Sequence, residues 1–144
     1  MEVELMGLVY AEIELIRGAD IVLFQEGQLP ADQIRRLKVN ALVDSGAYML
    51  AINQQIKTQL DLRKVGEQVA ELADGTQTRL EIVGPVDVQF ENRSTTVRAM
   101  VLPGDSEVLL GSIPMEDMDV LIDPKQQKLI VNPESPYIAK KSLK

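Results

Sequence analysis

The chain has 144 residues, enough for one domain that buries most of its apolar surface. Its formal net charge of −7, with two Phe, three Tyr and no Trp, argues against a nucleic-acid partner held by phosphate contacts or base stacking. His and Cys are both absent. That removes Ser-His-Asp and Cys-His catalysis, the usual zinc sites, disulfides and iron–sulfur ligation, so any chemistry must run on carboxylates, hydroxyls, lysines or backbone. No metal and no cofactor is expected. The N-terminus carries Glu2 and Glu4 where a signal peptide would carry Lys or Arg. No window approaches the roughly 18 apolar residues of a membrane span. The expectation is a cytoplasmic protein with no membrane partner.

The first sixteen residues alternate, Val3 and Leu5 against Glu2 and Glu4, then Val9, Ala11, Ile13 and Leu15 against Glu12 and Glu14. This period of two predicts a long strand or hairpin half-buried at a sheet surface. Residues 18–36 are less regular: residues 21–24 read as a short strand or loop, and residues 30–36 as one helical turn. Residues 37–43 read as a strand, and residues 47–52 as another. Asn53 is a candidate N-cap for a short helix in which Ile52, Ile56 and Leu60 share a core-facing side. Residues 69–73 and 78–83 flank Asp74-Gly75, a hairpin turn signal, and Gly84-Pro85 reads as the end of that hairpin. Val86, Val88 and Phe90 alternate against Asp87, Gln89 and Glu91, a turn follows at Asn92-Arg93-Ser94, and Val97, Ala99 and Val101 alternate on the return. Residues 107–110 read as a strand ending at Gly111, residues 113–118 as a helix, and residues 120–122 with 128–131 as a last hairpin. Residues 1–132 would form the domain, and 133–144 a C-terminal tail with a mobile tip.

Many short strands with Gly and Pro turns predict an all-β barrel or sandwich carrying one or two short helices. The acids Glu116, Asp117, Asp119 and Asp123 do not make a calcium loop, since a loop starting at Asp117 needs Gly at its sixth position and has Ile122. They read as a solvated face.

The chain is organised around residues 40–52. The apolar run Ala41-Leu42-Val43 stops at Asp44-Ser45-Gly46, and a second apolar run begins at once. Asp-Ser-Gly is also ordinary turn chemistry. The apolar flanks raise the alternative, an acid presented by a rigid support, as a catalytic carboxylate needs. Gly46 is expected to take a positive φ and to clear space beside the carboxylate. A faint echo follows: Val108-Leu109-Leu110-Gly111 and residues 113–118 repeat the plan of strand, loop and helix without the acid.

Ala41-Leu42-Val43-Asp44-Ser45-Gly46-Ala47, the later Ala73-Asp74-Gly75 hairpin and then Leu109-Leu110-Gly111 together resemble the single-domain, prokaryotic kind of retropepsin-like aspartic protease. The resemblance runs over residues 37–132. It implies a small closed barrel-like fold that acts as a homodimer on a peptide or protein substrate. Such an enzyme needs two carboxylates facing one water, and this chain has a single Asp-Ser-Gly. Each of two subunits would therefore contribute Asp44 across a two-fold axis. By the same resemblance, Ser45 would bond across that axis and the Gly46 N–H would donate to the carboxylate. Ala47, Leu109, Leu110 and Gly111 would support the loop. Ala73, Asp74, Gly75 and Thr76 would form a flap that closes over the substrate. The flap carries one glycine where viral flaps have several, and the segment before Leu37 is longer than in the viral enzymes. The competing readings are a non-catalytic peptide-binding or dimerisation module that keeps the fold, and a monomeric β-domain in which Asp44 is a turn residue.

Overall fold

The computed structural model describes residues 7–143; the alternation at Val3 and Leu5 lies outside them. Period-two patterning becomes strand wherever one face can be buried. β1 (Tyr10–Arg17) turns Ala11, Ile13 and Leu15 inward, and Ile13 and Leu15 are fully buried. β2 (Arg36–Val43), β3 (Leu50–Asn53), β4 (Arg63–Glu71), β5 (Gln77–Phe90), β6 (Arg93–Leu102) and β7 (Leu109–Leu110) complete the main sheet. Its order is β1-β2-β7-β3-β6-β5-β4. β1 also pairs antiparallel with β5, from Glu14 opposite Gln89 to Arg17 opposite Val86. That extra ladder closes six strands into a barrel and leaves β4 outside the ring, on the first half of β5. The interior is aliphatic, built on Leu15, Leu50, Ile52, Val83, Val88 and Leu110. Each such side chain contributes on the order of 2 kcal/mol by leaving water.

The all-β expectation holds, but the described residues form three short helices where one or two were expected. Asn53 caps α2 (Gln54–Gln59), its Oδ1 accepting the Ile56 N–H at 3.0 Å. α3 (Ser112–Met118) follows β7 directly and ends at Asp119, which takes φ 58°. α1 (Gly18–Gln25) occupies the stretch whose residues 21–24 read as strand or loop. Its Val22 and Phe24 stay exposed, so the run carries no one-sided pattern. The helix is held instead by the buried Asp20, which accepts from Arg17 Nη1 at 2.5 Å and from the Arg35 N–H at 2.9 Å. Residues 30–36 do contain one helical turn, a 3-10 turn at Ala31–Gln33.

Gly84-Pro85 does not end a strand. β5 runs through it with a register shift between Val83 and Val86, and its two halves serve different partners, β4 before the shift and β1 after it. Three boundaries also move. β3 begins at Leu50 rather than 47, β4 stops at Glu71 rather than 73, and β7 keeps only Leu109 and Leu110, because the flanking residues bond into loops. β8 (Val120–Asp123) and β9 (Lys128–Val131) form the last hairpin, a separate two-stranded sheet. The tail is tied down as far as Lys141. Asp119 accepts from Ser135 Oγ at 2.5 Å and from the Lys140 N–H at 3.0 Å, while Lys141 pairs with Asp117 at 3.2 Å.

Candidate active site

The loop after β2 is braced on both sides by backbone. The Leu42 N–H donates to Val108 O at 2.8 Å, and the Asp44 N–H to Leu110 O at 3.0 Å, extending the parallel β2–β7 ladder to the acid itself. Ala51 of β3 pairs with Leu109 from the other side. Beyond the strand, the Ser112 N–H donates to Ala47 O at 2.9 Å and the Ile113 N–H to Tyr48 O at 3.2 Å. Residues 44–48 thus lie stitched along β7 and the start of α3. Gly111 is where the two segments meet. A Cβ built there would fall 2.4 Å from Met49 O and 2.8 Å from Ala47 O. Glycine is the residue type that fits.

Within the loop, the Gly46 N–H donates to Asp44 Oδ1 at 2.9 Å, and the Ala47 N–H to Asp44 O at 3.0 Å. The expected positive φ at Gly46 is not found. The loop turns through hydrogen bonds of Asp44, and glycine is favoured there by space, since a Cβ would stand 3.2 Å from Asp44 Oδ1. Asp44 is half-buried, whereas Ser45 is exposed and its hydroxyl has no partner among the described residues.

Asp44 opens into a groove of about 660 Å³ between this loop and the β4–β5 hairpin. Gly46, Ala47, Leu109 and Ala73 line it with Asp44. Leu110 and Gly111 are buried behind the floor. Asp74, Gly75 and Thr76 form the exposed hairpin tip and do not line the groove, because the turn projects past it. The tip is well defined: Gly75 takes φ 88°, the Leu72 N–H donates to Thr76 O at 2.8 Å, and Thr76 Oγ1 donates to Asp74 Oδ1 at 2.6 Å. The Thr76 hydroxyl, helped by the Thr76 N–H, holds the Asp74 carboxyl below the usual range.

Sequence reasoning missed Tyr48, Met49, Ala51, Met100 and Leu102 as groove residues. A signal for two of them existed. On β6, Met100 and Leu102 alternate with buried Ala99 and Val101 and are also apolar, so both faces of that strand end are covered. The lining has two carboxylates, Asp44 and Glu71, and no basic side chain. Among the described residues, no three His, Cys, Asp or Glu come together to hold a metal. No helix among them is long and apolar enough to cross a membrane.

A closed barrel with an acid presented from a strand exit, opposite a hairpin, defines the retropepsin-like fold. The family model described as "gag-polyprotein putative aspartyl protease" matches residues 33–117, more than half of the chain, and spans the Asp44 loop, the β4–β5 hairpin and Leu109-Leu110-Gly111. The chain belongs to that aspartyl protease family. No curated protein matches it.

Proposed function

We propose that this protein is a homodimeric aspartic endopeptidase in which the Asp44 carboxylates of two subunits activate one water. The observation that carries the reading is the setting of Asp44. It stands half-buried on a loop fixed by backbone bonds to β7 and α3, with the Gly46 N–H on its Oδ1, at the floor of a largely apolar groove. One chain places a single Asp44 there, so the second carboxylate comes from a second copy. Two carboxylates within about 3 Å share one proton. The ionised one takes a proton from water as its oxygen bonds to the peptide carbonyl carbon, and the protonated one gives its proton to the carbonyl oxygen. The tetrahedral intermediate then collapses. The carboxyl that took the water's proton gives it to the amide nitrogen as the C–N bond breaks, and the other carboxylate takes a hydroxyl proton as the product acid forms. The exposed Ser45 hydroxyl would bond across the two-fold axis. The β4–β5 hairpin would act as the flap, with the free edge of β4 taking the substrate as an added strand.

Sedimentation at micromolar concentration tests the assembly, and a strict monomer would end this reading. Mixing wild type with Asp44→Asn tests the shared site. Activity should follow the square of the wild-type fraction, because a mixed dimer lacks one carboxylate; linear dilution would contradict it. The competing function is a peptide-binding module that keeps the groove without hydrolysis. It is favoured by the fact that the other carboxylate of the groove lining, Glu71, ends β4 on the hairpin side and is not on the loop that carries Asp44. It predicts that Asp44→Asn binds peptides as wild type does while neither cleaves them.

A further inference from the structure

A second depression, of about 290 Å³, lies beside the active-site loop, between Tyr48, Val97, Arg98, Ile113 and Pro114. Tyr48 and Met49 line both it and the groove of Asp44, so the two adjoin along those residues. On its far side Thr96, Val97 and Arg98 also border a hollow of about 340 Å³ that contains Pro85 and Val65. The result is a trough crossing β6 and running away from the groove. Its apolar groups are left open: Tyr48 is 68% exposed, Val65 44% and Ile113 42%. Arg98 is exposed and has no carboxylate or hydrogen-bond partner among the described residues. Among the arginines it is the exception: Arg17, Arg35, Arg36, Arg63, Arg79 and Arg93 each lie within ion-pair distance of an acid.

The geometry points to this trough as a docking site for an acidic–apolar segment of a polypeptide whose neighbouring part lies in the Asp44 groove. Apolar side chains of that segment would cover Tyr48, Val97 and Ile113, and a carboxylate would meet the Arg98 guanidinium. The inference rests on the peptidase reading in one respect, that the groove holds a polypeptide. The site would then select substrates by a segment outside the scissile region, and it would do so against the protein's own negative charge.

The test is chemical-shift mapping on full-length Asp44→Asn protein, which reads binding without turnover. The probes are a short peptide alternating Glu with Leu and its counterpart with Lys for Glu. The expected result is shifts at Tyr48, Thr96, Val97, Arg98 and Ile113 with the Glu peptide. Adding Arg98→Glu should weaken it about fivefold, the size of one partly exposed charge contact; Arg98→Gln serves if that variant does not fold. Shifts confined to the Asp44 groove, or affinity unchanged by Arg98→Glu, would overturn the site. So would a change in sedimentation on Arg98→Glu, which would assign the trough to a second copy of the chain. A trough that binds in this way while wild type cleaves no peptide would remove the peptidase reading alone.

Discussion

Gly111 and Met49 meet with no room for a side chain: a Cβ on Gly111 would stand 2.4 Å from the Met49 carbonyl oxygen. The same Cβ would lie 2.8 Å from Ala47 O. These oxygens belong to the loop that presents Asp44, so the glycine sets how closely β7 and α3 brace that loop. Gly111→Ala must push backbone against backbone. The expected cost is about 1–3 kcal/mol, the range for overpacking a tight site, read as a lower urea midpoint at unchanged slope. Peptide cleavage should fall further than the lost stability accounts for.

Gly46→Ala separates position from stability. Gly46 does not take the left-handed conformation, so alanine fits the backbone, and the strain falls on Asp44 Oδ1 at 3.2 Å. Thermal unfolding should move by less than about 1 kcal/mol, as for most exposed changes. Cleavage should drop about tenfold or more, because the carboxylate is displaced from its Gly46 N–H.

Asp20 anchors α1 from inside. It is 1% exposed and is held by the Arg17 guanidinium, itself 8% exposed, with Arg35 on its other side. Burial pushes its carboxyl up, but the Arg35 N–H and the Arg17 guanidinium outweigh burial and leave it below the usual range. Asp20→Asn leaves Arg17 without its charge partner and should cost about 3 kcal/mol or more. The sign with pH follows from the lowering. The ionised group stabilises the fold above the unfolded value, about pH 4, and that stability is lost as pH falls through the lower folded value. Acid denaturation curves of the two proteins should therefore converge at low pH.

Asp119 is the clasp of the tail. The Ser135 hydroxyl, then the Asn132 amide and the Lys140 N–H, lower its carboxyl from 3.8 to about 2. The buried Arg93 guanidinium lies 3.9 Å away and donates to Ser135 O. Its contribution is complete above the ordinary carboxylate value and disappears as pH falls towards 2. Asp119→Asn should speed amide exchange at Lys140 and expose Lys140 and Lys141 to trypsin, with the barrel unaffected. Protection equal to that of wild type would show that the tail is held by other contacts.

Legibility in the sequence tracked how local each cause was. The Asn53 cap, the Asp74-Gly75 turn and the β8–β9 hairpin were readable because each is decided by neighbours along the chain. So was the strand that delivers Asp44, since an apolar run stopped by Asp-Ser-Gly marks both the strand and its exit. α1 was not readable, because its anchor at Asp20 draws on Arg17 and Arg35 from other elements. Gly84-Pro85 looked like a stop, yet a barrel needs β5 to change partners there. In the site, Asp44, Gly46 and Leu109 carried their own signal. Tyr48 and Met49 entered the groove only because residues 47–48 are bonded to α3, a relation between segments more than sixty residues apart.

The central claim is that Asp44 is a catalytic carboxylate. Its most direct measurement is cleavage of a diverse peptide mixture by wild type and Asp44→Asn side by side, across roughly pH 3 to 7. The account predicts cleavage by wild type and none by a variant that still folds and sediments as wild type does. Equal cleavage by both proteins, or none by either, would contradict it.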